Sequence, residues 1–461
     1  MDRVVYLISD LHLGPGREPA TDAWHPLEDF QVDDAFGAFL DRITALANGA
    51  PIELLIAGDF IDYPQILPEL GLTSPANTRG TTQAESVERT RVVLGQRPEL
   101  SSGHPAVFAR LRKLIEAGHS VTILVGNHDI DLLWPDVWAL LFDAIYSPGA
   151  SGILQRETFS HTIGRAGRGR VYVEHGHERD PENCFGDQMA QPFAEDGTGV
   201  RRLKRCYGTL FVDKVYNQLE RERWFIDNVK PISRVIGLGL KNDVGFTGRA
   251  LALILKFFLT AGLPPRRAAA VLGEEDTWPQ AQRNGPALAQ AVDDDQLHDY
   301  LQRRMADPAF RAEFDDEVRQ FDEGDWRQIK AGVTRQPTLD KLAGVQPRGM
   351  VLGDEDVEDQ YHAAAREVMQ LDSSIGAVIM GHTHEAIDGL VKPLYLDDNR
   401  TGYYFNSGTW TPHLRDRPGH RYSWDEIADA ANYTSSLTYL RFVPDAQGVY
   451  RVELHSWAAE M

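Results

Sequence analysis

The chain has 461 residues, so its length predicts either two domains or one core that carries a large insertion. Apolar residues make up 42% of the chain and charged residues 25%, a globular composition that excludes wholesale disorder. The net charge of −21 disfavours general binding to nucleic acids or anionic membranes, and we expect no stable nucleic-acid partner.

Features that direct a chain to a membrane or an oxidising compartment are not evident. The two cysteines, Cys184 and Cys206, are too few for a disulfide framework. The N-terminal run VVYLIS leads into a polar loop and lacks a signal-peptide pattern. The longest apolar stretch, residues 250–263, contains Lys256 and is shorter than the roughly 20 residues of a spanning helix. We therefore expect a cytoplasmic protein.

Short β-branched runs that end in polar, glycine-containing loops predict buried strands with functional residues at their C-terminal ends. Helical periodicity between several of these runs predicts an α/β layered fold, with β-sheets flanked by helices. Ligands of α/β sheets bind beyond the carboxyl ends of strands, so we expect the loops to converge on one site. The C-terminal runs GYYFNSG, SLTYLRFV and VYRVELHSW predict strands that complete the sheet. The runs span residues 4–10, 52–59, 121–129, 171–177 and 377–384, and the helical patterns span residues 33–47, 107–117 and 357–371.

The spacing of the polar strings indicates an insertion. His175 and His382 are 207 residues apart, whereas the earlier strings follow one another at about a quarter to a third of that spacing. Residues 191–356 are mainly helical in their periodicity and predict a helical cap between two core parts, residues 1–190 and 357–461. Residues 200–270 contain 14 Lys and Arg against 5 Asp and Glu, so the first half of the cap is basic.

The strand-end residues are of types that bind metal ions. Residues two apart in extended backbone, such as Asp10 and His12, point the same way and can share a cation. Imidazole favours transition metals, whereas carboxylate and amide oxygens favour harder ions. Each string alone is explained about as well by a turn or a polar cluster, but their joint occurrence predicts a binuclear catalytic centre. The candidate metal ligands are Asp10, His12, Asp59, Asn127, His175, His382 and His384.

The ordered strings DLHLG, GDFID, GNHD, HGH and GHTH resemble the calcineurin-like metallophosphoesterases, over roughly residues 1–190 and 370–461. The resemblance implies a metal-dependent phosphoester hydrolase, a phosphodiesterase or pyrophosphatase, in which a metal-bridging hydroxide attacks phosphorus. The implied cofactors are two divalent metal ions, Mn²⁺ as the first expectation and Fe or Zn as alternatives. One ion would be bound by Asp10, His12, Asp59 and His384, and the other by Asp59, Asn127, His175 and His382.

Four further residues are assigned roles beside the ligands. His128 resembles the family's non-ligand histidine that faces the scissile phosphate, where it would stabilise phosphoryl charge or protonate the leaving oxygen. Asp129 is expected to orient His128. His177 is a candidate for substrate binding or for support of His175, and Asp62 is a candidate supporting residue. The lone histidines, expected on surfaces or in turns without a role, are His104, His119, His161 and His298.

The substrate is less narrowly defined. The strings DLHLG and NSGTW look most like those of bacterial enzymes related to UDP-diacylglucosamine pyrophosphatase, which has arginine at the position of His128 and a shorter cap. The expected partner is a small phosphorylated substrate, with a nucleotide-linked or lipid-linked phosphate as the leading hypothesis. The basic, partly apolar cap suggests peripheral membrane contact, with a buried cap helix as the alternative. A nuclease and a non-catalytic scaffold of the same fold remain alternatives.

Overall fold

The computed structural model describes the chain in several ranges, and residues 258–359, which include most of the predicted cap, lie outside them. The cap helices expected within residues 287–321 are therefore not described. The described residues are 3–67, 80–165, 167, 169–195, 199–226, 228–229, thirteen positions between 235 and 257, 360–397, 399–415, 417 and 420–461.

Strands and helices alternate through the N-terminal part of the chain and strands dominate the C-terminal part. The strands are β1 (Val4–Ile8), β2 (Ile52–Ala57), β3 (Ser120–Leu124), β4 (Ile153–Glu157), β5 (His161–Ile163), β6 (Arg170–Val173), β7 (Phe193–Glu195), β8 (Arg201–Leu203), β9 (Ile375–Met380), β10 (Ala386–Ile387), β11 (Leu394–Tyr395), β12 (Thr401–Ser407), β13 (His413–Leu414), β14 (Tyr433–Thr434), β15 (Thr438–Pro444) and β16 (Tyr450–Ser456). The α-helices are α1 (Asp33–Ala47), α2 (Gln83–Val93), α3 (Pro105–Glu116), α4 (Pro135–Ile145), α5 (Tyr207–Phe211), α6 (Asn217–Glu220), α7 (Gln360–Leu371), α8 (Trp424–Ala428) and α9 (Trp457–Glu460).

The first helix shows why these segments form where they do. Phe36, Phe39, Leu40 and Ile43 of α1 are buried and recur at the three- and four-residue spacing of one helical face. Acidic residues occupy the first turn, where their negative charges interact favourably with the positive end of the helix dipole. Asn48 ends the helix in a left-handed conformation. The observed bounds of α1 match the predicted ones.

The main strands form two six-stranded sheets. The first has the order β16-β15-β1-β2-β3-β4, in which β1 to β4 are parallel and β15 and β16 are antiparallel additions. The second has the order β10-β12-β9-β6-β5, in which β12, β9 and β6 are parallel, and β11 also pairs with β12. The C-terminal strands complete both sheets, as expected in outline, because β12 joins the second and β15 and β16 join the first.

The two sheets pack face to face, with helices on their outer faces. Apolar side chains from both sheets, including Leu7, Leu55, Val171 and Ile379, form the core between them. The other face of the first sheet packs on α1, α3 and α4, and the other face of the second packs on α7. The layers therefore run helix, sheet, sheet, helix, and the mixed α/β class predicted from the sequence is confirmed.

The described beginning of the predicted cap packs on the core. Strands β7 and β8 form a hairpin, and Leu203 of β8 belongs to the core beneath the first sheet. A continuous helical segment follows, consisting of α5, a π-helical stretch at Val212–Tyr216, and α6. We call residues 207–220 the roof helix. Its apolar face packs against Tyr422, Ile427 and Tyr433 of the C-terminal part of the chain. Among the described residues, no helix combines the length and apolar character needed to cross a bilayer.

Candidate metal centre

The seven ligand candidates lie beyond the C-terminal ends of strands from both sheets. Asp10, Asp59 and Asn127 follow β1, β2 and β3 of the first sheet, whereas His175 and His382 follow β6 and β9 of the second. Because these strands are parallel within each sheet, their carboxyl ends point to one edge of the layered core. The sequence strings converge as predicted, but they do so across two packed sheets.

The backbone at these positions is bent in an unusual way. Ten non-glycine residues of the described chain have positive φ, and five of them are ligand candidates. Such left-handed conformations cost non-glycine residues roughly 1–3 kcal/mol each and concentrate at functional sites. The bends therefore identify these loops as a site independently of residue type. The five residues are Asp10 (φ 53°), His12 (φ 52°), Asp59 (φ 49°), His382 (φ 68°) and His384 (φ 65°).

Asp10, His12 and His384 form the first group, in which one potential ligand atom of each lies within 4.8 Å of the others. His384 Nε2 is 3.5 Å from Asp10 Oδ1, and His12 Nε2 is 3.1 Å from His384 Nε2. Two imidazole nitrogens this close repel one another if both are unprotonated, unless a proton or a cation lies between them. The group therefore fits a metal ion by its donor set and by its distances.

Asp59, His175 and His382 form the second group, again with ligand atoms within 4.8 Å of one another. Asp59 Oδ2 is 3.0 Å from His175 Nε2 in this group and 3.8 Å from His12 Nε2 in the first. The Asp59 carboxylate therefore lies between the two groups, where the resemblance places a bridging ligand. The backbone N–H of His382 also donates to both oxygens of Asp10, at 3.1 and 3.0 Å, which ties the groups together.

Asn127 presents an oxygen that the described residues leave unsatisfied. Asn127 Oδ1 is buried and has no hydrogen-bond partner in the described part of the chain. Its amide nitrogen donates to Asn183 Oδ1 at 3.4 Å. Buried polar atoms are nearly always paired, so an orphaned amide oxygen on the residue before His128, whose backbone N–H donates to Asp59 Oδ1, is a good fit to a cation ligand.

The buried charges of the cluster require compensation. Burial raises the pKa of Asp10, and the nearby Asp59 carboxylate raises it further. Burial also opposes the charged form of His175, but the negative charges of Asp59 and Asp10 outweigh it and raise the pKa of His175 to about 10. A proton on His175 is thus a counter-charge to these two buried carboxylates. A bound cation would replace it, so metal binding should release protons.

His128 lies next to the cluster and contacts Asp62. His128 Nδ1 and His12 Nδ1 lie 2.8 and 2.7 Å from the same oxygen, Asp62 Oδ2. Burial lowers the pKa of His128, but the charges of Asp62 and Asp59 outweigh burial and raise it to about 9. His12, Asp62 and His128 also satisfy the distances of a metal group. Since both contacts to Asp62 have hydrogen-bond lengths, we interpret Asp62 as the acceptor that orients the two rings, leaving His12 Nε2 toward the cluster.

Asp129 has a different position from the one expected. Its two carboxylate oxygens accept the backbone N–H groups of Gly126, at 2.6 Å, and Phe60, at 2.8 Å. The expectation that Asp129 orients His128 is therefore wrong, because Asp62 makes that contact. Asp129 instead joins the loops that carry Asp59 and Asn127.

His177 is buried beside the cluster. Its ring centroid lies 5.3 Å from that of His175, and its Nε2 lies 3.3 Å from Glu178 Oε1. The ring of His175 is held instead through Nδ1, which lies 2.9 Å from the carbonyl oxygen of Ala57. Support of His175 by His177 is not seen, and substrate binding by His177 remains a prediction.

Two of the lone histidines are buried, contrary to expectation. His104 lies between two carboxylates, with Nε2 3.0 Å from Glu28 Oε2 and Nδ1 3.0 Å from Asp33 Oδ1. Burial lowers its pKa, but these charges outweigh burial and raise it to about 10. His119 is buried with Nδ1 3.3 Å from the amide nitrogen of Ile52. His161 is half-buried, and His298 lies outside the described residues.

Comparison of the sequence with models of known protein families gave no match, and comparison with curated proteins gave none. The case for this centre therefore rests on the chain's own residues and geometry.

Proposed function

We propose that this protein is a metal-dependent phosphoester hydrolase of the calcineurin-like metallophosphoesterase type. The observation that carries the proposal is the pair of Asp and His groups joined by Asp59, with the orphaned oxygen of Asn127 beside them. The helix–sheet–sheet–helix layers, with the site at strand ends, support a metallophosphoesterase core. A phosphodiester or pyrophosphate is the substrate class that we favour, on the motif resemblance.

The donor set supports two divalent cations. Asp10, His12, Asp59 and His384 would hold one, and Asp59, Asn127, His175 and His382 would hold the other. Mixed nitrogen and oxygen ligands suit a catalytic transition-metal ion, so Mn²⁺ is the first choice, with Fe or Zn as alternatives. When bound, a cation pair supplies Lewis acidity toward a phosphoryl group and toward the attacking water.

His128 would act on the substrate, and its exposure and contacts support this role. The side chain is 15% exposed, in contrast to the buried Asp62 that orients it, so its ring can reach a bound molecule. Its Nδ1 is occupied by Asp62 Oδ2, which leaves Nε2 for a substrate oxygen. The Asp62 and Asp59 carboxylates raise the pKa of His128 to about 9, which favours the protonated ring at neutral pH. It would therefore donate a hydrogen bond to the phosphoryl group or a proton to the leaving oxygen.

Turnover of synthetic substrates tests this function. Protein stripped with a chelator and resupplied with Mn²⁺ should hydrolyse bis(p-nitrophenyl) phosphate, and p-nitrophenyl phosphate more slowly. Asp59→Asn should abolish turnover, because it weakens the shared ligand, whereas Asp41→Asn, at a side chain that is 66% exposed and paired with Arg110, should not. Mn²⁺ binding without turnover of any phosphoester would refute the hydrolase and favour the scaffold.

The same preparation separates the remaining alternatives. Cleavage of single-stranded DNA in preference to a nucleotide-diphosphate sugar would favour a nuclease. The reverse preference would favour a pyrophosphatase acting on a small nucleotide-linked or lipid-linked substrate. Sedimentation with anionic liposomes at low salt tests the membrane hypothesis, and a protein that stays in the supernatant would remove it.

A further inference from the structure

A short turn that none of the sequence motifs includes lies against the second group of ligands. Asp180 Oδ2 is 3.2 Å from His382 Nε2 and accepts a hydrogen bond from Asn183 Nδ2 at 2.8 Å. Asn183 Oδ1 in turn accepts from Asn127 Nδ2 at 3.4 Å. One carboxylate therefore reaches two ligand candidates, one directly and the other through an amide.

We infer that Asp180 and Asn183 are positioning residues that set which atoms of His382 and Asn127 face the second metal ion. This inference rests on the proposed function, because it concerns the ligands of that site. It adds residues that lie beyond the motifs of the resemblance.

The local backbone holds Asp180 and Asn183 in place. Asp180 Oδ1 accepts the amide N–H of Glu182 at 3.0 Å, and the Asp180 carbonyl accepts the amides of Asn183 and Cys184 at 2.9 and 2.8 Å. The amide of Asp180 donates to the carbonyl of His177 at 3.1 Å. These bonds close a tight turn that turns the Asn183 side chain back toward Asp180.

The polarity of the hydrogen bonds follows from the chemistry of the carboxylate. An ionised carboxylate accepts hydrogen bonds and cannot donate them. His382 Nε2 must therefore carry the proton that it shares with Asp180, which leaves the lone pair of Nδ1 for a metal ion. This selection of one imidazole tautomer by a carboxylate recurs at metal sites in proteins.

The same reasoning continues through Asn183. Because Asp180 only accepts, Asn183 must offer its NH₂ group to Asp180, and its oxygen then faces Asn127. Asn127 can meet that oxygen only with its own NH₂ group, so Oδ1 of Asn127 is turned the other way. That oxygen is the buried atom without a hydrogen-bond partner among the described residues.

The roof helix begins on this turn. The amide of Gly208 donates to the carbonyl of Glu182 at 2.8 Å, and Cys206 Sγ lies 3.7 Å from Asn183 Oδ1. A Cβ atom at position 208 would overlap Asn183 Oδ1, so only glycine allows this close approach. The start of the roof helix therefore restricts the position of Asn183 Oδ1 and links the beginning of the predicted cap to the ligands of the second ion.

Titration of the metal-free protein with Mn²⁺, followed by calorimetry, tests this inference without any turnover measurement. The wild-type chain should bind two Mn²⁺ ions. Asp180→Asn keeps the size of the side chain, but the new amide can donate as well as accept hydrogen bonds. It should lower the affinity for one of the two ions by about 10- to 100-fold. The other ion should keep its affinity within about threefold, since the hydrogen bonds of this turn reach His382 and Asn127, which are ligand candidates of the second ion.

Asn183→Ala gives a second test that leaves the contact between Asp180 and His382 in place. It should lower the affinity for the same ion. The electron paramagnetic resonance signal of an exchange-coupled Mn²⁺ pair should then be lost when Mn²⁺ is supplied at one equivalent more than the two sites. Asp41→Asn is the matched carboxylate control and should bind both ions as the wild type does. Unchanged affinity for both ions in Asp180→Asn and Asn183→Ala would overturn the inference, and so would equal weakening of both.

Gly208→Ala tests the coupling to the roof helix. It should weaken the same single ion, because the added methyl group displaces Asn183, whereas Gln218→Ala, at an exposed position of the roof helix, should not. Equal Mn²⁺ binding in these two variants would remove the coupling. A wild-type chain that binds no Mn²⁺ would refute the proposed function itself. If the wild type binds two ions and the Asp180 variant binds them equally well, only the inference about Asp180 fails.

Discussion

Replacement of His128 by alanine separates catalysis from metal binding. The substitution removes the ring that contacts Asp62 at 2.8 Å, but it keeps the backbone N–H that donates to Asp59 Oδ1 at 2.9 Å. Asp62 also keeps its contact with His12, at 2.7 Å. The ligand loops should therefore stay in place, and both Mn²⁺ ions should bind within about threefold of their wild-type affinities.

The expected loss of turnover follows from the charge that the ring carries. A positioned acid or hydrogen-bond donor contributes about 10²- to 10⁴-fold, which corresponds to roughly 3–5 kcal/mol of transition-state stabilisation. We expect His128→Ala to lower kcat for bis(p-nitrophenyl) phosphate at pH 7 by a factor within that range, with a smaller change in KM. Metal content is measured on the same samples. Loss of one Mn²⁺ ion would mean that His128 is a ligand, and a fall of less than tenfold would refute its assigned role.

Three further predictions concern the surroundings of the cluster. Asp62→Asn removes the anion that raises the pKa of His128, so the alkaline limb of the kcat profile should move to lower pH; an unchanged profile in metal-loaded protein would contradict this. Removal of metal with a chelator should lower the melting temperature, because the ions bind the folded chain, which brings their ligands together, better than the unfolded chain; equal melting curves would argue against the site. His104 has a pKa raised to about 10 in the folded chain, so its stabilising charge is fully present below about pH 6.5 and is lost as pH rises toward 10. Urea midpoints should fall over that range in the wild type and less in His104→Gln; parallel slopes would refute this.

Periodicity predicts much of the fold, because it reports which faces are buried. The apolar spacing in α1 predicts the extent of that helix, and Asn48, a residue that adopts the left-handed conformation readily, ends it. The strand before Asp10 is expected to end ahead of that residue, and β1 ends at Ile8, but the positive φ of Asp10 is not encoded by strand propensity. The assignment of each strand to one of the two sheets is not predictable in this way, since a run buried on both faces does not specify its neighbouring strand.

The site was predictable where short strings carry the chemistry and not where contacts join distant parts of the chain. Asp10 and His12, two apart after a strand, are recognisable from sequence alone. The contact between Asp62 and His128 spans 66 residues and that between Asp180 and His382 spans 202, so no local pattern reveals either. Asp129 was misassigned because its adjacency to His128 in the sequence suggested a contact between the two side chains. The Asp129 carboxylate instead accepts hydrogen bonds from two backbone N–H groups.

The central claim is that two metal ions held by these residues hydrolyse phosphoesters. The most direct test is the rate of bis(p-nitrophenyl) phosphate hydrolysis as Mn²⁺ bound per chain is raised from zero to two. We expect little turnover up to one equivalent, a rise with the second and no further gain beyond two. Absence of turnover at two bound equivalents would contradict it, as would full activity in the metal-free chain.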